Sequence, residues 1–368
     1  MNRNTLESVT SLYGGYWNFD FQDSCYMTNS YFPPDEFINL LSSNLRTLIQ
    51  AYPSTNGKIS SILEEIIGVD ASNIVVANGA SELIASISGT LINNVAIPVP
   101  TFEEYTNRAK ALGKQVSPFL LTEDFHLDIS EFVSHVQASG ANSVVIVNPN
   151  NPTGTLTARD EMIDLIGKLS HLDLVLVDES FIEFSQTVPN PSVVDLVDKY
   201  PNLMIIKSMS KNYGVPGLRL GYIVSGNKSQ VERLRKNIPI WSINSIAQAF
   251  LENLSKYQTE FLASCQQVIA STQTLYRDLE RISGVKPYPT EGNYILCELG
   301  ADITGHQAGT MLLQKYGILI SDRGNRGGLA QNFIRIASRT DHENSRVTAA
   351  LNDICSPKQT TPTIGSNR

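Results

Sequence analysis

The 368-residue chain contains no run of lysine and arginine, and its net charge is -8. That balance argues against nucleic acid or an anionic membrane as a partner. No apolar stretch approaches the roughly 20 residues needed to span a bilayer. The opening residues, Met1-Asn2-Arg3-Asn4-Thr5-Leu6-Glu7, hold no apolar signal core. The expected location is therefore the cytoplasm. Cysteine is scarce: Cys25, Cys265, Cys297 and Cys355 are scattered and no CxxC occurs. Free thiols in a reducing compartment are expected. The five histidines do not cluster with cysteines or carboxylates at ligand spacing, which argues against a metal site.

What remains is the composition of an ordinary soluble protein, 42% hydrophobic and 17% charged. The length suits two domains, or one large domain with a smaller one. Residues 1–35 are aromatic and polar and read as an irregular arm. Helical periodicity runs from Glu36 to Gln50 and stops before Pro53. Short β-branched runs follow at Ile74–Val76, Val95–Val99, Val144–Val147, Leu174–Val177, Leu203–Ile206 and Leu220–Val224. Helix-like segments lie between most of them, at Ser81–Leu91, Tyr105–Leu112, Ala158–Leu169 and Ser192–Lys199. Buried strands alternating with helices predict an α/β domain with a mostly parallel sheet. We place it at residues 36–244. A long helical stretch, Ser245–Leu279, leads out of it. Strand-like runs at Tyr294–Leu296, Gly317–Ile320 and Phe333–Ile336 predict a smaller α+β domain within 245–355. Residues 356–368, rich in Pro, Thr, Ser and Gly, are expected to be a disordered tail.

The most restrictive segment is Ser208-Met209-Ser210-Lys211-Asn212-Tyr213-Gly214, with Arg219 eight positions after the lysine. A lysine at the mouth of a buried strand loses its proton through desolvation and becomes a nucleophile toward carbonyls. Hydroxyls and an arginine are phosphate ligands. A carbonyl compound carrying a phosphate meets both demands, and pyridoxal 5'-phosphate is one. Alone, the loop fits a surface turn equally well.

Ligands of open α/β sheets bind outside the carboxyl ends of the strands, and three more motifs stand there. Ala77-Asn78-Gly79-Ala80-Ser81 is a glycine turn opening a helix, suited to a phosphate or simply to an N-cap at Ser81. Asn148-Pro149-Asn150-Asn151-Pro152 is a stiff turn able to aim one carboxamide. Asp178 ends an apolar strand, where it either caps the next turn or meets a cation such as a protonated pyridine.

The set Asn151, Asp178, Lys211 and Arg219, in this order, resembles fold-type I pyridoxal-phosphate enzymes of the class I/II aminotransferase group. The resemblance runs from the Glu36 helix to the last helices before the tail. It implies that Lys211 bonds the cofactor aldehyde, Asp178 keeps the pyridine nitrogen protonated and Asn151 donates to the phenolic oxygen. Gly79, Ala80, Ser81, Ser208, Ser210 and Arg219 would hold the phosphate, and Phe102 would stack on the ring. Arg335 would grip the substrate carboxylate. Tyr52 would reach a neighbouring subunit's cofactor, making a homodimer with shared sites. The N-terminal arm would pack near the site.

Within the group, the chain is similar to histidinol-phosphate aminotransferases and threonine-phosphate decarboxylases. Pro216, the Trp241-Ser242-Ile243-Asn244 segment and Phe181, where aminotransferases usually place a tyrosine, lean toward the decarboxylases. Gly14-Gly15 resembles the glycine pair of their arm, so Gly15 and Trp241 join the candidate substrate residues. Ser321 stands where both relatives usually carry a phosphate-binding arginine, and Arg323 or Arg326 would substitute. The expected reaction is α-decarboxylation of a small phosphorylated or phosphonate amino acid. The alternatives are amino transfer of the histidinol-phosphate type and, remotely, a non-catalytic sensor.

Overall fold

The computed structural model describes residues 5–355, so the expected tail lies outside the described residues. Seven strands form the large sheet: β1 (Ile74–Asn78), β2 (Asn94–Val99), β3 (Gln115–Leu120), β4 (Ser143–Val147), β5 (Leu174–Asp178), β6 (Leu203–Ser208) and β7 (Leu220–Ser225). Their order is β1-β7-β6-β5-β4-β2-β3. All pairings are parallel except those of β7, which runs antiparallel to both neighbours.

The two-residue period of each strand divides its side chains between two cores. Val75, Val145, Leu174, Leu176, Met204 and Ile206 face the helices Ala80–Thr90 and Lys228–Asn237. Val76, Val144, Val175, Val177, Leu203 and Ile205 face the opposite layer. Sheets covered on both faces need apolar residues at every position, which is why these strands read as unbroken apolar runs.

A second sheet is antiparallel, with order β10-β11-β9-β8, formed by β8 (Val285–Pro287), β9 (Tyr294–Leu299), β10 (Ser321–Asp322) and β11 (Phe333–Ala337). The helix Gln258–Glu280 joins the two layers: Phe261, Cys265 and Val268 pack with the large sheet, and Leu275 and Leu279 with the small one. No helix among the described residues is long and apolar enough to cross a membrane.

Three expectations need correction. The periodic stretch 36–50 is two helices, Asp35–Ser43 and Leu45–Gln50, broken at Asn44. Ser192–Lys199 contains only the 3-10 turn Val194–Leu196, because β-branched Val193, Val194 and Val197 weaken an already short helix. The arm is anchored, not irregular throughout. The helix Leu6–Thr10 buries Leu6 and Val9 with Tyr16, Leu313 and Leu319. Gln22–Asp23 then pairs in parallel with Ile318–Leu319.

Candidate active site

Asp178, Lys211, Asn151 and the Gly79 turn all stand at the carboxyl edges of β5, β6, β4 and β1. Alternation along β5 sets the direction of Asp178. Leu174 and Leu176 share a core with Tyr105, and Asp178 continues that face. The buried Tyr105 hydroxyl donates to Asp178 Oδ2 at 2.8 Å, and the Ser180 amide donates to Oδ1 at 2.9 Å. Burial raises the Asp178 carboxyl above its ordinary range. Both donors and the Lys211 cation oppose that rise. A carboxylate held this way favours a cationic partner.

Two lysines four residues apart have opposite fates. Lys207, at the end of β6, pairs with Glu183. Burial works against its charge, but Glu183, Tyr222 and Glu179 hold its pKa above the ordinary value. Lys211 lies on the short helix Met209–Asn212. Burial, then the neighbouring cations Arg335 and Arg219, lower its pKa to about 8, with Asp178 opposing. At pH 7 about a tenth of such an amine is neutral and nucleophilic.

The turn expected to hold a phosphate is shaped by two glycines. Gly79 has φ 78°, and a Cβ there would lie 2.4 Å from Arg219 Nη2. A Cβ on Gly221 would lie 2.4 Å from the Ala80 amide nitrogen. The helix start at Ala80 and Ser81 and the Arg219 guanidinium can therefore close on one point. Ser210 Oγ is buried and has no partner among the described residues. Ser208 is tied in through its amide, which donates to Ser180 Oγ at 2.9 Å. Amides at a helix start, a guanidinium and an orphaned hydroxyl fit a phosphate.

The paired asparagines divide their work. Asn150 is consumed by scaffolding: its amide donates to the Pro100 carbonyl (2.9 Å) and Thr153 Oγ1 (2.8 Å), and its Oδ1 accepts from Thr101 (2.7 Å). Asn151 Oδ1 accepts from Arg335 Nη1 at 2.6 Å, which leaves its Nδ2 end as the donor. Phe102 precedes the helix Glu103–Ala111, with its ring perpendicular to that of Tyr105 at 6.1 Å. Phe181 is buried edge-on against Tyr294 at 5.0 Å.

Arg335 and Arg323 are 5% and 8% exposed, and the Nε of each is buried without a partner among the described residues. Besides Asn151, Arg335 donates from Nη2 to the Cys25 carbonyl at 2.8 Å. Burial, with Arg335 close by, lowers the Arg323 pKa to about 10. Ser321 pairs across the ladder with Arg335. Arg323 continues that ladder through its amide, which donates to the Phe333 carbonyl at 3.0 Å.

Gly15, Trp241 and Tyr52 remain. Gly15 has φ 72° before the turn Tyr16–Asn18, and the arm meets Arg335 through Cys25 instead. Trp241 stacks on Tyr52 at 4.5 Å. Both are exposed, at 50% and 78%. The sequence reading missed Tyr105 beside Asp178, Cys25 beside Arg335 and Glu103, whose carboxylate lies 3.6 Å from Arg323. Tyr105 had a signal, three positions after Phe102 on a helix; Cys25 had none.

The family model for class I and II aminotransferases matches residues 45–354. Over 369 residues the chain is 33% identical to CMP-5'-(3-aminopropyl)phosphonate synthase of Streptomyces rubellomurinus, covering 98% of this chain and 57% of that protein. It is 32% identical to an L-serine phosphate decarboxylase of Campylobacter jejuni, covering 90% of this chain and 88% of that one. A solved histidinol-phosphate aminotransferase from Clostridium acetobutylicum aligns with TM-score 0.83 and 28% identity, over 90% of this chain and 98% of the other. The chain thus spans little more than half of the Streptomyces protein and most of the other two. It belongs to the class I and II aminotransferase family, whose enzymes depend on pyridoxal 5'-phosphate.

Proposed function

We propose that the chain decarboxylates a small amino acid bearing a phosphate or phosphonate on its side chain, giving an amino-alkyl phosphate or phosphonate. The observation that carries this reading is the buried arginine pair. Arg335 and Arg323 sit close together, each with an Nε that has no partner among the described residues. Glu103 offsets Arg323 only in part, from 3.6 Å, so the pair suits a substrate with two anionic groups. The relatives named for serine phosphate and for an aminopropylphosphonate support the same substrate class.

When bound, the cofactor would supply an electron sink for the bond broken at the substrate α-carbon. The chain supplies the rest. Lys211 Nζ would hold the cofactor through its aldehyde, and the same amine would carry the proton delivered to the substrate α-carbon. Asp178, fixed by Tyr105 and Ser180, would pair with the pyridine nitrogen and favour its protonated form. Gly79, Ala80, Ser81, Ser208, Ser210 and Arg219 hold the phosphate. Asn151 would donate from Nδ2 to the phenolic oxygen, and Phe102 would cover the ring. Phe181 brings no hydroxyl there, so that oxygen has one donor fewer than a tyrosine would give it. Arg335 holds the α-carboxylate end and Arg323 the distal phosphorus group.

The test is incubation of the holoenzyme with O-phospho-L-serine and O-phospho-L-threonine. Carbon dioxide release and an amino-alkyl phosphate by mass spectrometry are expected. Amino transfer to 2-oxoglutarate without carbon dioxide would replace this reading with the histidinol-phosphate type.

A second copy of the chain completes the site in this proposal. The helix Leu45–Gln50 buries none of its residues, and Ile49, Tyr52, Ile240 and Trp241 leave an apolar face open beside it. Exposed apolar surface of this kind marks a protein interface. Sedimentation should give a dimer, and Ile49→Asp should shift it toward monomer and weaken cofactor binding about tenfold, since Tyr52 would no longer reach the partner's cofactor phosphate. A wild-type monomer with full activity would rule this out.

A further inference from the structure

Glu103 is the first residue of the helix Glu103–Ala111, directly after Phe102. Its Oε2 lies 3.3 Å from Arg326 Nη1 and 3.6 Å from Arg323 Nη2. The helix start favours a negative charge there. Here two guanidiniums face one carboxylate, leaving one net positive charge among these three groups. Arg335, the neighbouring cation that bears most on Arg323, is assigned above to the α-carboxylate and is counted there. Asp322 Oδ1 accepts from the Gly324 amide at 2.9 Å, and its other oxygen lies 3.8 Å from His306. Burial raises the Cys25 thiol pKa, keeping it neutral.

We infer that this subsite selects a phosphorus group carrying a single negative charge, that is, a phosphate or phosphonate already esterified to a second group, and that Glu103 sets the preference. The inference rests on the decarboxylation reading above and narrows its substrate. A free phosphate monoester carries about -1.5 to -2 at pH 7 and must either displace Glu103 or sit against it. A monoanion needs neither.

The outer end of the subsite has room for the second group. The Arg326 side chain is 51% exposed and that of Glu103 37%. The loop that carries Arg326 is seated firmly: a Cβ on Gly327 would lie 2.9 Å from Pro100 Cα, and one on Gly328 would lie 3.1 Å from the Leu120 side chain. Phe102 and Leu120, both exposed, flank this mouth and offer apolar surface to the esterifying group. The reaction itself is unchanged. The bond from the α-carbon to the carboxylate breaks, carbon dioxide leaves, a proton takes its place, and the phosphorus ester stays intact.

The experiment compares three substrates with the holoenzyme: O-phospho-L-serine, its methyl phosphodiester and its cytidylyl phosphodiester. The methyl compound isolates charge, and the cytidylyl compound tests the mouth. Both diesters should exceed phosphoserine in kcat/KM by about tenfold, with the difference lying in KM. Glu103→Gln should raise kcat/KM for phosphoserine and shrink that ratio to about one. A loading control, the visible absorbance of bound cofactor, confirms that the variant folds. Phosphoserine preferred over both diesters by the wild type, or a ratio that Glu103→Gln leaves unmoved, overturns this inference and leaves decarboxylation standing. No carbon dioxide from any of the three compounds overturns the reaction assignment as well.

Discussion

Lys211→Ala should abolish the covalent hold on the cofactor and lower turnover by at least about 10⁴-fold, the upper range for a residue that moves a proton in the reaction. Borohydride reduction of the loaded wild type, followed by digestion, should mark the peptide that contains Lys211; the variant should give no marked peptide. The same amine sets a pH dependence. Its pKa is lowered to about 8, so it is mostly protonated below that value and mostly neutral above it. Capture of pyridoxal 5'-phosphate by the apoprotein should therefore accelerate through a midpoint near pH 8. A midpoint near 10.5, the value of a free lysine, would mean that burial and the flanking arginines do not act on this group. Label on a different lysine would sink the assignment altogether.

Asp178→Asn should cost about 10³-fold in kcat/KM and weaken cofactor binding as well. The side chain keeps its size, so packing is preserved. The chemistry changes for two reasons. The negative charge across the ring is gone, so the pyridine nitrogen is no longer held protonated. An amide also has one acceptor oxygen where the carboxylate has two, and both carboxylate oxygens are in use, one by Tyr105 and one by the Ser180 amide. One of those buried donors is left facing an NH₂ group, which adds a desolvation penalty. Absorbance titration with the cofactor and steady-state kinetics measure the two effects separately. Wild-type values for both would remove Asp178 from the site.

Much of this site is legible in the sequence because it hangs on strand ends. A short apolar run of three or four residues announces a buried strand, and the residues just beyond it must stand at the sheet's edge. Asp178, Asn151, Lys211 and Gly79 are all of this kind. The large sheet is readable for the same reason. Its exceptions are equally physical. β3 (Gln115–Leu120) lies at the sheet edge and pairs only with β2. Its residues are half exposed and include Pro118, so it lacks the apolar signature. The reversal of β7 leaves no trace in composition, because an antiparallel strand buried on both faces has the same residues as a parallel one.

What the sequence could not convey is who meets whom across the fold. Tyr105 serves Asp178 only because alternation along β5 and the following helix place them in one core. Glu103 meets Arg323 and Arg326 from more than two hundred positions away. Trp241 and Tyr52, assigned separately from their motifs, turn out to be one stacked pair. Contacts of that sort are products of chain folding and have no local signature.

The anchoring of Arg335 has a practical consequence. Its Nη2 is held by the backbone carbonyl of Cys25, contributed from 310 positions away. A main-chain oxygen is supplied by whatever residue occupies that place, so position 25 is open to redesign. Libraries at this single codon would vary the side chain beside Arg335 while the guanidinium stays moored to the main chain, a route to altered substrate scope.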